Sequence, residues 1–555
     1  MKTKLKQQVI NLIKKEIPEI QQVKDKIKLE PPKEEKFGDF SINASFLLAK
    51  LLKDKPINIA QRIKQILESE EIFEKVEVAG AGFVNLFLST KYFEPILEKA
   101  ILEGDTYGEI KNKTKGKINI EFVSANPTGP LHLGHGRGAV VGNTLANLYK
   151  YSGYNVEKEF YINDAGNQIK MLGLSVYARF RQIEEPDYPF PEEGYKGEYI
   201  KEIAKQLYES HREKILSMSS KEEVIEYMAE FAKNLLLDKI KQDLALLGVE
   251  FDIWFSEKEL YTQGKVYEVL KFLKEKGLTY EKDGALWLKT TLFGDDKDRV
   301  LKKSDGSYTY FAGDIAYHFD KLKRNYNFII NVWGADHHGY IPRLKSALLA
   351  LGAKEDWFNV VLIQLVKLFK DGQEMKMSKR AGTFTTLKDL VDMVGKDAVI
   401  YFFLTKDSNT HLNFDIDLAL KKSSENPVYY VQYAHARISS VFREAREKFN
   451  ININELDFSI VDTSLLKEKP EKELMKYIAI IPEDIYEITE KKQPHKITQI
   501  AYELASKFHY YYNNYKFLQQ DDEKLMKARL YLLKAIRNVL RTIFKIMEIT
   551  PVERM

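Results

Sequence analysis

Ile118-Asn-Ile-Glu-Phe-Val-Ser-Ala-Asn-Pro-Thr-Gly-Pro-Leu-His-Leu-Gly-His-Gly-Arg-Gly138 decides how the rest of the chain is read. Ile118, Ile120, Phe122 and Val123 form a short apolar run, the pattern of a buried strand. Pro127, Gly129 and Pro130 break it. From Leu133 through Tyr151, the spacing of Val140, Val141, Leu145 and Leu148 predicts a helix. Strand, turn and helix start make the opening unit of a parallel α/β sheet, in which ligands bind beyond the carboxyl ends of the strands. His132 and His135 stand where the helix begins, and Gly134, Gly136 and Gly138 let a ligand approach the backbone closely. Unpaired N–H groups and the helix dipole favour an anion there. A phosphate-handling site is the first expectation. Two blander readings compete with it: histidines that cap a core helix, and half of a zinc site. The chain has no cysteine and no third ligand stands nearby, which counts against zinc.

The bulk composition narrows the classes. The chain has 555 residues, enough for several domains. Charged residues make up 30% and hydrophobic residues 44%, an ordinary globular balance that leaves little room for long disorder. Net charge is only +4, so any nucleic-acid surface must be a local patch. Absence of cysteine excludes disulfides and thiolate metal sites and fits an intracellular protein. Met1-Lys-Thr-Lys-Leu-Lys lacks the apolar core of a signal peptide, and no apolar run reaches membrane-spanning length. The expected location is the cytoplasm.

Outward from the opening stretch, Tyr154 to Ile162 reads as a second strand, followed by the polar loop Asn163-Asp-Ala-Gly-Asn-Gln168. Residues 169 to about 250 read as mostly helical, an insertion into the strand-helix rhythm. The sheet is expected to resume near Gly284–Leu288, Ser307–Phe311 and Phe328–Trp333, with another strand region over Val360–Phe369. Lys370-Asp-Gly-Gln373 marks a turn, and the basic loop Met375-Lys-Met-Ser-Lys-Arg-Ala-Gly382 follows. Beyond about residue 388 the pattern is nearly all helical. Near the start, Leu5, Val9, Leu12 and Ile13 predict one helix and Ile42 through Leu52 a second, with Asp39 or Ser41 as its cap. The aromatic run Phe508–Phe517 lies in a basic stretch that suits unstacked RNA bases, although a helix-bundle core with solvated lysines fits most of its tyrosines better.

His-Leu-Gly-His at 132–135 and Lys-Met-Ser-Lys at 376–379 together resemble the paired signatures of class I aminoacyl-tRNA synthetases. Further stretches resemble bacterial arginyl-tRNA synthetases over the whole chain. They are Ala125–His135, Asn163–Gln168, Tyr308-Thr-Tyr-Phe-Ala-Gly-Asp314, Val332-Trp-Gly-Ala-Asp-His-His338, Ser424–Arg437, Phe37-Gly-Asp-Phe40 and Pro551-Val-Glu-Arg-Met555.

The resemblance implies ATP-dependent activation of L-arginine and its transfer to arginine tRNA, with Mg2+ accompanying the ATP and no protein ligand assigned to it. In that reading His132 and His135 act on the triphosphate, and Lys376 and Lys379 clamp the leaving phosphates. Gly134, Met377 and Ser378 complete the ATP site. Adenylylation builds negative charge on phosphoryl oxygens, so positioned donors are what it needs. Glu121 and Asn126 would take the amino-acid end of arginine, and Tyr310 and Asp314 its side chain. Asp336 falls where many relatives carry glutamine. A guanidinium is a permanent, planar cation and needs carboxylates.

The implied architecture is multidomain, part α/β and part all-α. An α+β N-terminal domain that touches the tRNA elbow spans 1–110. A Rossmann-like parallel-sheet catalytic domain spans 111–390, with a helical insertion at about 169–280, followed by a helical connection over 391–427. A C-terminal α-helical bundle that binds the anticodon spans 428–555. Phe37, Phe40, Tyr429, Tyr433 and His435 are the candidate tRNA contacts. Family habit implies a monomer and a need for bound tRNA before activation. The competing readings are a synthetase for another amino acid, a small-molecule adenylyltransferase and a non-catalytic tRNA-binding paralogue.

Overall fold

The quoted stretch folds as its periodicity predicts, into the strand Lys117–Glu121 and the helix Leu133–Tyr151. The structure is a computed structural model that describes residues 1–32, 34–375, 386–457, 461–519 and 521–555. Lys117–Glu121 is the central strand of a five-stranded, wholly parallel sheet. On one side of it lie Asn155–Ile162 and then Ile253–Ser256; on the other lie Phe328–Gly334 and then Phe358–Ile363. The chain therefore winds outward in one direction, returns, and winds outward in the other. Such a reversal leaves a crevice at the carboxyl ends of the two strands that flank it. Those ends are Glu121 and Gly334. The site is placed by topology before any side chain is considered.

The helix Leu133–Tyr151 is buried along most of its length, with Val140, Val141, Leu145 and Leu148 in the core. Gly142 lets it lie against the sheet: a Cβ there would come within 2.3 Å of the Phe122 ring. Two sequence expectations are corrected here. Ala285–Leu288 is a strand, but of a separate three-stranded antiparallel sheet, whereas the parallel sheet resumes earlier at Ile253–Ser256. Ser307–Phe311 is not a strand. Thr309 caps the helix Tyr310–Lys323, its hydroxyl accepting from the Ala312 amide. A threonine cap outweighs the strand preference of the tyrosines around it. Val360–Phe369 resolves into two strands, the second of which, Val366–Lys370, belongs to another small sheet.

Helices Asn167–Arg181, Glu198–Leu216 and Lys221–Leu246 form the insertion around their own core of Leu172, Val176, Ile203, Leu207, Met228 and Leu236. Ahead of the parallel sheet, a four-stranded antiparallel sheet packs with the helices Lys2–Lys14, Ala44–Leu52 and Pro56–Glu68. Neither expected cap serves the second of these. Asn43 is its capping residue, without a side-chain bond, while Asp39 accepts from the Leu88 amide at 2.6 Å and pairs with Lys476. The C-terminal part is a bundle of Pro427–Phe449, Lys469–Glu490, Lys496–Asn514 and Glu523–Met547. It meets the signature helix directly: the Asn147 amide donates to the Ile546 carbonyl at 3.1 Å. Among the described residues no helix is long and apolar enough to cross a membrane.

Candidate active site

The two histidines close the start of the helix Leu133–Tyr151 on each other. The His135 amide donates to His132 Nδ1, and the His132 amide donates to His135 Nδ1, both at 3.3 Å. Their rings stack with centroids 3.5 Å apart. Because each Nδ1 accepts, a neutral ring carries its hydrogen on Nε2, a donor suited to a phosphate oxygen. Gly134 makes the arrangement possible, since a Cβ there would sit 3.0 Å from His132 Cε1. The capping reading and the phosphate reading are thus the same geometry. Lys376, Met377, Ser378 and Lys379 lie outside the described residues.

A cluster of acids lies at and just past the carboxyl ends of the parallel strands. Buried Glu121 accepts from Ser124 Oγ at 3.1 Å and from Lys321 Nζ at 2.7 Å. Asp314, one turn into the helix Tyr310–Lys323, accepts from the Tyr340 hydroxyl. Burial pushes Asp314 up to about 6, the Tyr340 hydrogen bond opposes that, and the charge of Glu121 adds to it. Glu257, on the first turn after the edge strand, is pushed up to about 7 by burial and then by Asp314 and Asp164. The Tyr161 hydroxyl hydrogen-bonds Glu257 and offsets part of this. Glu121, Glu159 and Asp164 each face a cation, namely Lys321, Arg324 and Lys233. Asp314 and Glu257 have no ion-pair partner among the described residues. Two buried acids without counter-charge make a receptor for a cation.

Sequence reasoning missed Glu257 and Tyr340. Of the residues it named, Glu121 and Asp314 come together closely enough for their charges to interact. Asn126 is half-buried in the loop after the central strand, where Thr128 N donates to its carbonyl at 2.7 Å. Tyr310, the first residue of the helix that carries Asp314, is 78% exposed. Only Glu121 ends a strand; Asp314 is on a helix. Asp336 lies on the turn Ala335–Tyr340 with its side chain 81% exposed, beside His337.

The candidate RNA contacts divide in the same way. Phe37 is exposed, but Phe40 is a buried strand residue and His435 is fully buried. His435 Nδ1 hydrogen-bonds the Val552 carbonyl at 2.9 Å and Arg541 Nε donates to its Nε2 at 3.0 Å, so it fastens the tail rather than facing solvent. Burial pushes it down to about 4. Tyr429 and Tyr433 are half-buried and stack at 5.8 Å, with Arg437 over Tyr433.

Comparison with known proteins assigns each part of the chain to a family. Residues 3–88 match the arginyl tRNA synthetase N terminal domain, 97–423 the tRNA synthetases class I (R) catalytic domain, and 431–555 the DALR anticodon binding domain. The arginine–tRNA ligase of Aquifex aeolicus is 48% identical, over 96% of each chain. That of Bacillus subtilis is 44% identical, over 95% of this chain and 94% of its own. The Thermus thermophilus arginyl-tRNA synthetase structure superposes with a TM-score of 0.73 over the whole of both chains at 21% identity, which speaks to the fold. With both the strand-end crevice and the three matched domains in hand, the chain belongs to the class I arginyl-tRNA synthetase family.

Proposed function

We propose that the chain ligates L-arginine to arginine tRNA in two steps at the crevice between Glu121 and Gly334. The observation that carries the reading is the pair of buried acids without counter-charge, Asp314 and Glu257. A guanidinium has a fixed charge and a fork of donors, so one side chain can satisfy both. Lysine brings the charge without the fork; uncharged analogues leave both acids unpaired, at about 1–3 kcal/mol or more for each. In this reading Tyr310 covers the side chain from the rim, Glu121 and Asn126 take the amino-acid end, and Asp336 adds an acid at the mouth.

The arginine carboxylate then attacks the α-phosphate of ATP, and pyrophosphate leaves. His132 and His135 donate from Nε2 to phosphate oxygens, and the helix N-terminus behind them stabilises the growing charge. Lys376 and Lys379 are assigned by motif to the leaving phosphates, with Gly134, Met377 and Ser378 lining the ATP. Magnesium prefers oxygen ligands, and the described start of the signature helix offers imidazole nitrogen and N–H donors instead. The ion would therefore arrive on the phosphates and water, and no protein ligand is assigned. The N-terminal α+β part and the C-terminal bundle would hold the tRNA, the protein acting as a cytoplasmic monomer.

The test is arginine-dependent pyrophosphate exchange, with and without arginine tRNA, beside lysine and glutamine. Exchange confined to arginine is expected. None from folded protein under either condition would return the chain to a non-catalytic tRNA-binding role. Asp314→Asn should raise the KM for arginine far more than that for ATP; equal effects would remove Asp314 from side-chain recognition.

A further inference from the structure

Lys321 is fully buried at the far end of the helix that carries Asp314, and lysine is seldom found so deep without a reason. Its ammonium sits 2.7 Å from Glu121 Oε2 and 4.5 Å from the centre of the Tyr317 ring. The other oxygen of the same carboxylate accepts from Ser124 Oγ at 3.1 Å, and Ser124 Oγ in turn accepts from the Tyr161 amide at 3.2 Å. Ser124 reaches this position through a costly turn. Val123 and Ser124 both have positive φ, 67° and 39°, a region that a β-branched residue in particular avoids. Backbone strain at the end of the central strand and a buried cation from a distant helix thus converge on one carboxylate. Neither is needed to end a strand.

We propose that Lys321 is a positioning residue for the α-amino group of arginine, holding Glu121 from below so that its remaining lone pairs face the substrate ammonium. This rests on the reading of Glu121 as the acid for the amino-acid end. A carboxylate has about four acceptor sites, so two bonds to protein leave room for a ligand. Without Lys321 the buried carboxylate loses its counter-charge and one of its two anchors, and the ammonium meets an acid free to rotate. Because Tyr310, Asp314, Tyr317 and Lys321 share one helix, the same element sets both the side-chain end and the amino end of the site.

The test separates the amino group from the rest of the ligand. The full-length chain carrying Lys321→Met is assayed by pyrophosphate exchange with its tRNA, using arginine as substrate and 5-guanidinopentanoate, which is arginine without the α-amino group, as inhibitor. Lys321→Met is expected to raise the arginine KM about tenfold while the inhibition constant of the analogue and the KM for ATP stay within about twofold. Equal weakening of arginine and analogue would overturn the proposal, because Lys321 would then merely shape the pocket. No weakening of either would overturn it too. Should Lys321→Met fail to fold, Ser124→Ala removes the other anchor and is read in the same way. Glu121→Gln isolates the underlying assignment. If it weakens arginine and analogue alike, the role of Glu121 falls; if it is selective and Lys321→Met is not, only the positioning role falls.

Discussion

The Tyr340 hydroxyl donates to Asp314, a bond that joins the turn after one central strand to the helix lining the other side of the pocket. It lowers the affinity of Asp314 for a proton, against the upward push of burial. Tyr340→Phe should therefore leave Asp314 more protonated near neutrality. The arginine KM is expected to rise about three- to tenfold at pH 7 and by less at higher pH, with the ATP KM unchanged. Steady-state kinetics at two pH values checks this, and an effect independent of pH would mean that the hydroxyl acts on the ligand instead.

Acid should weaken arginine binding. Asp314 and Glu257 are raised from 3.8 and 4.5 to about 6 and about 7. A carboxyl raised on folding binds protons more tightly in the folded chain. Its stability contribution is therefore greatest at low pH and is lost as pH rises through the folded value. A guanidinium reverses the preference, since it needs both groups ionised. Thermal stabilisation by saturating arginine, and kcat/KM for arginine, should both grow from about pH 5.5 to about pH 8. Differential scanning fluorimetry across that range decides it; a flat response would exclude these acids from the site.

Two glycines of one helix should fail differently. A methyl on Gly142 would lie 2.3 Å from the Phe122 ring, inside the core. Gly142→Ala is expected to cost about 1–3 kcal/mol of stability, visible as a lower Tm, with activity per folded molecule kept. A methyl on Gly134 meets the imidazole of His132 at 3.0 Å, at the cleft. Gly134→Ala should keep its Tm and lose exchange activity, because the histidine donors no longer stack in place.

These contrasts show what local pattern carries and what it does not. Strand, turn and signature helix were legible because their apolar periodicity is a property of adjacent residues, and the histidine pair because helix capping is local. Glu257 was not. It sits on a six-residue helix in a stretch assigned to the insertion, and its partner Asp314 is distant in sequence, so only the packing of that helix against Tyr310–Lys323 brings the two acids together. His435 failed for the converse reason. The motif that named it is local, and it does not show that the tail returns over this residue and supplies Val552. Phe40 could be read from the sequence either as a base contact or as a core anchor, because a three-residue strand is too short for alternation to decide, and the structure buries it.

Tyr433 and His435 are two positions apart and should behave as opposites. Tyr433 stacks on Tyr429 and beneath Arg437 on a half-buried face, a platform of the kind that unstacked bases use. Tyr433→Ala should weaken tRNA binding by about 1–3 kcal/mol and leave the arginine KM alone. His435→Ala leaves Arg541 Nε and the Val552 carbonyl without their partner, so its expected effect is a lower Tm with tRNA affinity retained per folded molecule. Filter binding and thermal melts on both variants distinguish the platform from the fastening.

Glu159 marks the boundary between the pocket and its scaffold. It is wholly buried on the strand next to the central one, and it accepts from both terminal nitrogens of Arg324 at 2.9 and 3.0 Å, from Tyr317 at 3.0 Å and from Asn119 at 2.7 Å. Burial works to raise it, but the charges of Lys321 and Arg324 and these hydrogen bonds hold it below the usual range. A carboxylate lowered on folding stabilises the protein above its unfolded value, and that contribution disappears as pH falls through the folded value. Arg324→Met removes two charge-assisted hydrogen bonds and leaves Lys321 as the nearby cation, and should cost about 1.5–3 kcal/mol. Adding Glu159→Gln removes the under-compensated charge, so the double variant should recover part of the loss and unfold less steeply in acid. Urea melts of the two single variants and the double form the cycle. Costs that simply add would mean that the two residues stabilise the sheet independently, and the pocket would then have no ionic floor beneath Tyr317.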